Sequence, residues 1–193
     1  MGGGGPCGDV VTQPPSVIWI TGLSGAGKST VSSALVTRLR ASLPAVVALD
    51  GDELREVLGA VESSGHNHGR EGRLALALRY ARFCRMVAQP GVTVVIATIS
   101  MFREVHAWNR ENLPGYVEVY LRVPVEELRR RDPKGIYRRF DRGELRDVAG
   151  LDLAVDEPVA PHVKIEHASQ ATVEMTVDRI YGEWLQITRR EKT

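Results

Sequence analysis

The 193-residue sequence has little cysteine, almost no net charge and no long apolar run, and each shortage excludes a class of protein. Two cysteines, Cys7 and Cys84, give no disulfide framework and suit a reducing compartment, so we expect a cytoplasmic protein. With 25 basic and 24 acidic residues, nothing global indicates nucleic acid or a membrane surface as a partner. No apolar run approaches the roughly 18 residues that span a bilayer. The length and the 43% hydrophobic content predict one globular domain with its own core.

The first residues differ in composition from the rest of the chain. Residues 1–15 contain four consecutive glycines and three prolines, and such a segment has too little apolar surface to fold by itself. We therefore predict a disordered leader over residues 1–15 and a single domain over residues 16–193.

The most informative stretch is residues 17–30, where an apolar run ends in a glycine-rich loop that leads into a helical pattern. The loop fits G-x-x-x-x-G-K-[ST], in which glycines let backbone N–H groups turn toward a phosphate and the helix N-terminus adds positive charge. We expect Lys28 to contact the β- and γ-phosphates and Ser29 to bind Mg²⁺. The stretch predicts a nucleoside triphosphate site. Its predicted ATP-binding residues are Gly22, Ser24, Gly25, Ala26, Gly27, Lys28, Ser29 and Thr30.

Strand and helix patterns alternate along the chain, which predicts an α/β fold: a parallel sheet with helices on both faces, of the P-loop NTPase (nucleoside-kinase-like) class. The apolar run 45–49 predicts a strand covered on both faces. The other predicted strands are 17–20, 92–98, 116–121 and 163–165. The predicted helices are 29–41, 52–59, 70–88, 103–112, 125–131 and 170–188, with an irregular segment from Asp132 to about Pro161.

Two carboxylates follow the second predicted strand. Asp50 and Asp52 would lie beside the phosphate loop, because ligands bind beyond the carboxyl ends of strands in such sheets. We expect one of them to hold Mg²⁺ or its waters and the other to orient an acceptor hydroxyl and take its proton late. A turn that caps the following helix is the alternative, and the two roles can coexist. Arg55, one turn further, would face the same cleft and bind an anionic group of an acceptor.

A basic segment follows the fourth strand. Residues 129–146 contain eight basic and three acidic side chains, interrupted by Pro133, Gly135 and Gly143. The segment predicts a mobile lid, over about residues 132–161, that closes on the triphosphate and neutralises charge in the transition state. The alternative is an ordinary solvated surface.

Taken together, these motifs resemble the adenylylsulfate (APS) kinase family over residues 17–165. The resemblance implies ATP and Mg²⁺ as cofactors, with γ-phosphoryl transfer to a ribose 3′-hydroxyl. It implies Asp52 (base-like), Lys28 and Asp50 as catalytic residues, Ser29 and Asp50 as metal ligands, and Arg131 as a further ATP contact. It also implies a homodimer, although nothing in the sequence itself fixes the oligomeric state. The matching stretches are 22–30, 49–55, 99–103, 131–137, 143–145 and 150–152, and the implied acceptor-binding residues are Asp52, Arg55, Arg73, Ile99, Ser100, Met101, Lys134 and Val148.

Three departures from the family pattern concern the acceptor. The family sandwiches adenine between two phenylalanines, but Val148 stands at one of those positions and no phenylalanine occurs between Asp52 and Phe83. His66 and His68 offer flat rings instead, or a weakly supported metal pair. In the run 72–79, the family's acidic and amide groups are absent. Residues 101–114 resemble a branch that includes cytidine diphosphoramidate kinases.

The acceptor therefore stays open between adenylylsulfate and a pyrimidine nucleotide such as cytidine diphosphoramidate, with a non-nucleotide alcohol as a third possibility. A catalytically silent nucleotide-binding regulatory module is the alternative from a different class. The sequence predicts an ATP-dependent kinase of a small, anionic, nucleotide-like acceptor.

Overall fold

The computed structural model describes residues 14–59, 69–167 and 170–190 of the chain. The predicted leader up to residue 13 and the loop that contains His66 and His68 lie outside the described residues. The strands are β1 (Ser16–Thr21), β2 (Val46–Asp50), β3 (Thr93–Ala97), β4 (Val117–Arg122) and β5 (Val163–Glu166). The helices are α1 (Lys28–Arg40), α2 (Gly51–Gly59), α3 (Arg70–Ala88), α4 (Arg103–Asn112), α5 (Val125–Arg131), α6 (Ile136–Asp141) and α7 (Val173–Arg190).

The five strands form one parallel sheet in the order β2-β3-β1-β4-β5, which confirms the predicted fold class. In the register of the sheet, Ala97 at the end of β3 lies beside both Ile20 of β1 and Asp50 of β2. The three segments that follow these strands therefore leave the sheet at the same end, where the carboxyl ends of the parallel strands lie. They are the phosphate loop, the Asp50–Asp52 turn and residues 98–102, and their meeting point positions the site.

Alternate residues of the central strand β1 supply two separate apolar layers, as a strand buried on both faces requires. Ile18 and Ile20 pack on one face against α1 and α7, where Trp184 is 1% exposed. Val17 and Trp19 pack on the other face against α3 and α4. Helices on both faces are thus confirmed, and no helix in the described part of the chain is long and apolar enough to cross a membrane.

Two local expectations were wrong. Strand β2 is at the edge of the sheet, and its residues are half-buried with Ala48 exposed, instead of covered on both faces. Apolar content alone does not distinguish an edge strand from a central one. The segment expected to be irregular contains the short helix α6, because the Asp132 carboxylate accepts the N–H groups of Tyr137 and Arg138 at 3.1 Å each. That carboxylate caps the first turn of α6 from outside the helix.

Candidate active site

The phosphate loop has the conformation that its glycines allow. Gly25 and Gly27 have φ values of 81° and 91°, in the left-handed region that side chains disfavour. A Cβ on Gly22 would lie 2.6 Å from the carbonyl oxygen of Leu121, so the neighbouring strand leaves no room for any other residue. The loop therefore curls back against β4 and brings the N-terminus of α1, which begins at Lys28, to its mouth.

Lys28 is held within this loop. Its Nζ donates a hydrogen bond to the carbonyl oxygen of Leu23 at 2.9 Å. The pKa of the Lys28 ammonium is lowered to about 8, mainly by burial and also by Lys134 nearby, while Asp52 and Asp50 act in the opposite direction. The ammonium is therefore poorly hydrated, so an anion that reaches it gains more than it would from an exposed lysine.

The lowered pKa of Lys28 gives a testable dependence of ATP binding on pH. Below pH 8 the side chain is charged and can donate to phosphate, whereas above pH 8 the free protein must take up a proton to bind. We expect the Kd of a non-hydrolysable ATP analogue to rise by up to about 10-fold per pH unit above pH 8. Calorimetric titrations between about pH 7 and pH 9.5 would measure it. A constant Kd over that range would contradict the prediction, and a Lys28→Met variant should show weaker binding without this dependence.

The two aspartates have different partners. Asp50 accepts a hydrogen bond from the Ser29 hydroxyl at 3.0 Å, and its other carboxylate oxygen accepts the backbone N–H of Asp52 at 2.8 Å. Asp50 thus caps α2, and its other carboxylate oxygen lies beside the Ser29 hydroxyl. A hydroxyl and a carboxylate at one point are oxygen donors of the kind Mg²⁺ prefers.

The second aspartate is paired with the lid. The side chain of Asp52 forms an ion pair with Lys134 across the cleft. The hydrogen bond from Lys134 holds the pKa of the Asp52 carboxyl below its usual range. The lid is also tied to the phosphate loop, because Tyr137 donates its hydroxyl proton to the Ser24 carbonyl oxygen at 2.9 Å. Residues of the lid segment therefore contact both Asp52 and the phosphate loop.

A cavity of about 410 Å³ lies between the phosphate loop, α2, α3 and the lid. Arg55 and Arg73 line it, and Arg73 donates to the Asp147 carbonyl oxygen at 2.7 Å while burial lowers the pKa of its guanidinium. Ser100 lines it with φ of 30° and shares a hydrogen bond of 2.9 Å with Thr98. The sequence-predicted residues on its wall are Ser24, Gly25, Gly27, Lys28, Ser29, Thr30, Asp50, Asp52, Arg55, Arg73, Ile99, Ser100, Met101 and Lys134.

A second cavity, of about 580 Å³, opens on the other side of the phosphate loop. It shares Gly27 and Thr30 with the first cavity and has an apolar floor. Arg131 lines this second cavity, where its guanidinium contacts Glu127 at 2.7 Å and His167 at 3.2 Å. The two cavities therefore meet at the phosphate loop.

A family model described as adenylylsulphate kinase matches residues 14–166. The chain belongs to the adenylylsulphate kinase family. This confirms the resemblance found in the sequence, and the protein is accordingly an ATP-dependent phosphotransferase.

Individual members of the adenylylsulphate kinase family are similar to nearly the whole chain. A cytidine diphosphoramidate kinase of Campylobacter jejuni is 38% identical over 166 residues, which cover 86% of this chain and 94% of that protein. An adenylyl-sulfate kinase of Pseudomonas aeruginosa is 38% identical over 160 residues, covering 82% and 80%. The structure of the Mycobacterium tuberculosis APS kinase CysC in complex with AMPPNP and APS superposes with a TM-score of 0.78 at 26% identity, covering 89% of this chain and 98% of that one. Identity alone does not separate the two acceptors.

Among the residues that the family resemblance implied for acceptor binding, Val148 is not on the wall of the first cavity. Its neighbour Ala149 lines the cavity, with Leu153 and Val155, while the N–H of Val148 donates to Asp152 at 2.6 Å. The sequence analysis also missed Leu76, which a period of three from Arg73 on one helix face would have identified. Other missed lining residues are Tyr80, Phe102, Pro133 and Ile136.

Proposed function

We propose that this protein transfers the γ-phosphate of ATP to a hydroxyl group, the 3′-hydroxyl of a ribose, on a small, anionic, nucleotide-like acceptor. The observation that carries the proposal is the order of groups along one cleft. Lys28 and the Ser29–Asp50 pair lie at the phosphate loop. The Asp52–Lys134 ion pair comes next, and Arg55, one helical turn after Asp52, also lines the cavity. This order provides for a triphosphate, a reacting hydroxyl and an anionic acceptor group in turn.

The donor occupies both sides of the phosphate loop in this proposal. Backbone N–H groups of the loop and Lys28 bind the phosphates, and the nucleoside enters the second cavity beside Arg131. Ser29 and Asp50 would hold Mg²⁺, which would supply positive charge to neutralise the phosphates. The described residues contain no group of three or more His, Cys, Asp or Glu side chains that could hold a metal alone. That fits an ion bound largely by the nucleotide itself.

Asp52 orients the acceptor hydroxyl in this proposal. The hydroxyl oxygen forms a bond to the γ-phosphorus as the bond from that phosphorus to the bridging β,γ-oxygen breaks, ADP leaves, and the hydroxyl proton passes to the Asp52 carboxylate. Because the transition state is loose, orientation and charge neutralisation matter more than the strength of the base. An Asp52 whose pKa is lowered by Lys134 suits that role, since it is ionised over the whole physiological range.

A pyrimidine nucleotide, such as a cytidine diphosphate derivative, is a second candidate acceptor. It is supported by the aliphatic side chains that line the cavity, which are Leu76, Ala149, Leu153 and Val155. Tyr80 and Phe102 also line it, but only 3% and 6% of their surface is exposed. Stacking a base on an aromatic ring contributes about 1–3 kcal/mol in other nucleotide sites, and an aliphatic wall does not provide it. A large purine therefore has less to gain here than in a site built from two aromatic rings.

The test is a coupled ADP-release assay with Mg-ATP and a parallel panel of acceptors. The panel holds adenylylsulfate, cytidine and uridine diphosphate derivatives including cytidine diphosphoramidate, and non-nucleotide alcohols. We expect ADP release that depends on a nucleotide acceptor, and preference within the panel decides between the two candidates. Release only with a non-nucleotide alcohol would contradict the acceptor class. ATP binding without release under any acceptor would contradict the kinase proposal and support a regulatory module.

A further inference from the structure

Residues 153–162, the C-terminal part of the predicted lid segment and here called the strap, contribute two residues to the part of the cavity assigned to the acceptor. Leu153 and Val155 line the cavity, while Asp156, between them and the rest of the strap, does not. Met101 and Phe102, which belong to the segment between β3 and α4, line the same cavity next to the strap. The width of the cleft at this end therefore depends on how the strap is held relative to that segment.

Asp156 ties the strap to three other elements. Its N–H donates to the Met101 carbonyl oxygen at 2.9 Å, and its carboxylate accepts the backbone N–H of Arg103 at 3.1 Å. The same carboxylate oxygen accepts from the Arg70 guanidinium at 2.8 Å, and the Asp156 carbonyl oxygen lies 3.2 Å from Nε2 of His106. One residue thus uses its backbone donor, its backbone acceptor and its side chain on groups outside the strap.

The rest of the strap is fixed to the body of the protein by a buried carboxylate. Glu118 on β4 is fully buried and pairs with Arg110, while its Oε1 lies 2.8 Å from Nδ1 of His106. Arg110 also donates to the Ala160 carbonyl oxygen at 2.7 Å, and the N–H of Glu118 donates to Nδ1 of His162 at 2.9 Å. These contacts give the strap an anchored end, so Asp156 is the tie nearest to the cleft.

Through its ion pair with Arg70, Asp156 also contacts the helix that carries Arg73, a cationic residue of the cavity wall. Arg70 is the first residue of α3, and Arg73, which lines the cavity, is one turn further on the same helix. A carboxylate bound to Arg70 therefore fixes the helical turn that presents Arg73. Asp156 thus holds both the strap, which carries the apolar lining residues Leu153 and Val155, and the helical turn that carries Arg73.

We propose that Asp156 is a positioning residue for acceptor binding, which sets the separation between the strap and the segment that carries Met101 and fixes the first turn of α3. The proposal rests on the proposed function, because it assigns the acceptor to this end of the cleft. It implies that the loss of Asp156 weakens acceptor binding and leaves ATP binding as it is, since the partners of Asp156 among the described residues belong to neither the phosphate loop nor the second cavity.

The experiment compares Asp156→Ala and Asp156→Asn with Glu157→Gln as the matched control. Glu157 is the next residue, is exposed, and pairs with Arg122 at 3.2 Å, away from the cleft. We expect Asp156→Ala to raise the KM for the acceptor by roughly 10-fold, because two hydrogen bonds to one charged group are lost. Asp156→Asn, which keeps an acceptor for the Arg103 N–H, should raise it less, and the KM for ATP should not change. Glu157→Gln should match the wild type.

Three results would overturn the proposal or separate it from the proposed function. An unchanged acceptor KM in Asp156→Ala, or an equal rise in the KM for ATP, overturns it. If Asp156→Ala does not fold, Arg70→Gln removes one tie at a half-exposed side chain and should still raise the acceptor KM severalfold.

If the wild type releases no ADP with any acceptor, the proposed function fails by itself. Amide hydrogen exchange then tests the tie: faster exchange at Asp156 and Arg103 in Asp156→Ala, but not in Glu157→Gln, supports it, and unchanged exchange overturns it.

Discussion

Replacement of Lys28 by methionine is expected to lower kcat by about 10³-fold while leaving the protein as stable as before or more so. Removal of one neutral donor aimed at developing charge costs about 10²–10³ in kcat in other enzymes, and a buried ammonium contributes more than a neutral donor. Methionine keeps a similar apolar stem but carries no charge. Because burial already lowers the pKa of Lys28 to about 8, the fold is penalised for holding the ammonium, and a neutral side chain removes that penalty.

Two measurements test this expectation. Steady-state ADP release gives kcat, and thermal denaturation gives the free energy of unfolding. Lys164→Met is the matched control, since Lys164 lies on β5 with a half-exposed side chain that pairs with Glu166, and it should change neither quantity much. A Lys28→Met variant with kcat within 10-fold of the wild type would show that this lysine does not stabilise the transferred phosphate. A variant that unfolds would show that its ammonium supports the fold.

The donor side of the site could be predicted from the sequence because its determinants are local. The glycines that turn the phosphate loop, the lysine and the serine lie within eight consecutive residues, and the required conformations at Gly25 and Gly27 are ones that few other residues adopt. The Asp50–Asp52 turn was predictable for a related reason. The turn directly follows an apolar strand, and the carboxyl ends of parallel strands bring their following loops together.

The acceptor side could not be predicted in the same way because its contacts join distant parts of the chain. Arg73 binds the Asp147 carbonyl oxygen and Arg70 binds Asp156, contacts that cross 74 and 86 residues of sequence. A pattern along the chain carries no information about such pairings. The family resemblance placed Val148 at the site, whereas Ala149 lines the cavity and the Val148 N–H donates to the Asp152 carboxylate.

Replacement of Asp52 by asparagine is expected to lower kcat by about 10²–10⁴-fold, the range in which a positioned base contributes. Asparagine has nearly the same shape and can still accept a hydrogen bond from Lys134, but it cannot take the proton of the acceptor hydroxyl. Asp52 lies beside the phosphate loop rather than within it, so the KM for ATP should stay close to that of the wild type. Steady-state ADP release with both substrates varied measures the two effects.

The pH profile gives an independent test of the same residue. Lys134 holds the pKa of Asp52 below its usual range, so wild-type activity should persist below the ordinary aspartate pKa and decline only as the pH falls through the lowered value. Lys134→Met removes that hydrogen bond and should move the acid decline to higher pH, while Asp52→Asn should show no such decline. Glu53→Gln, at the next exposed position of α2, is the control and should keep the wild-type profile. If Asp52→Asn retained more than about a tenth of kcat, the hydroxyl proton would have to leave by a route that does not involve this carboxylate.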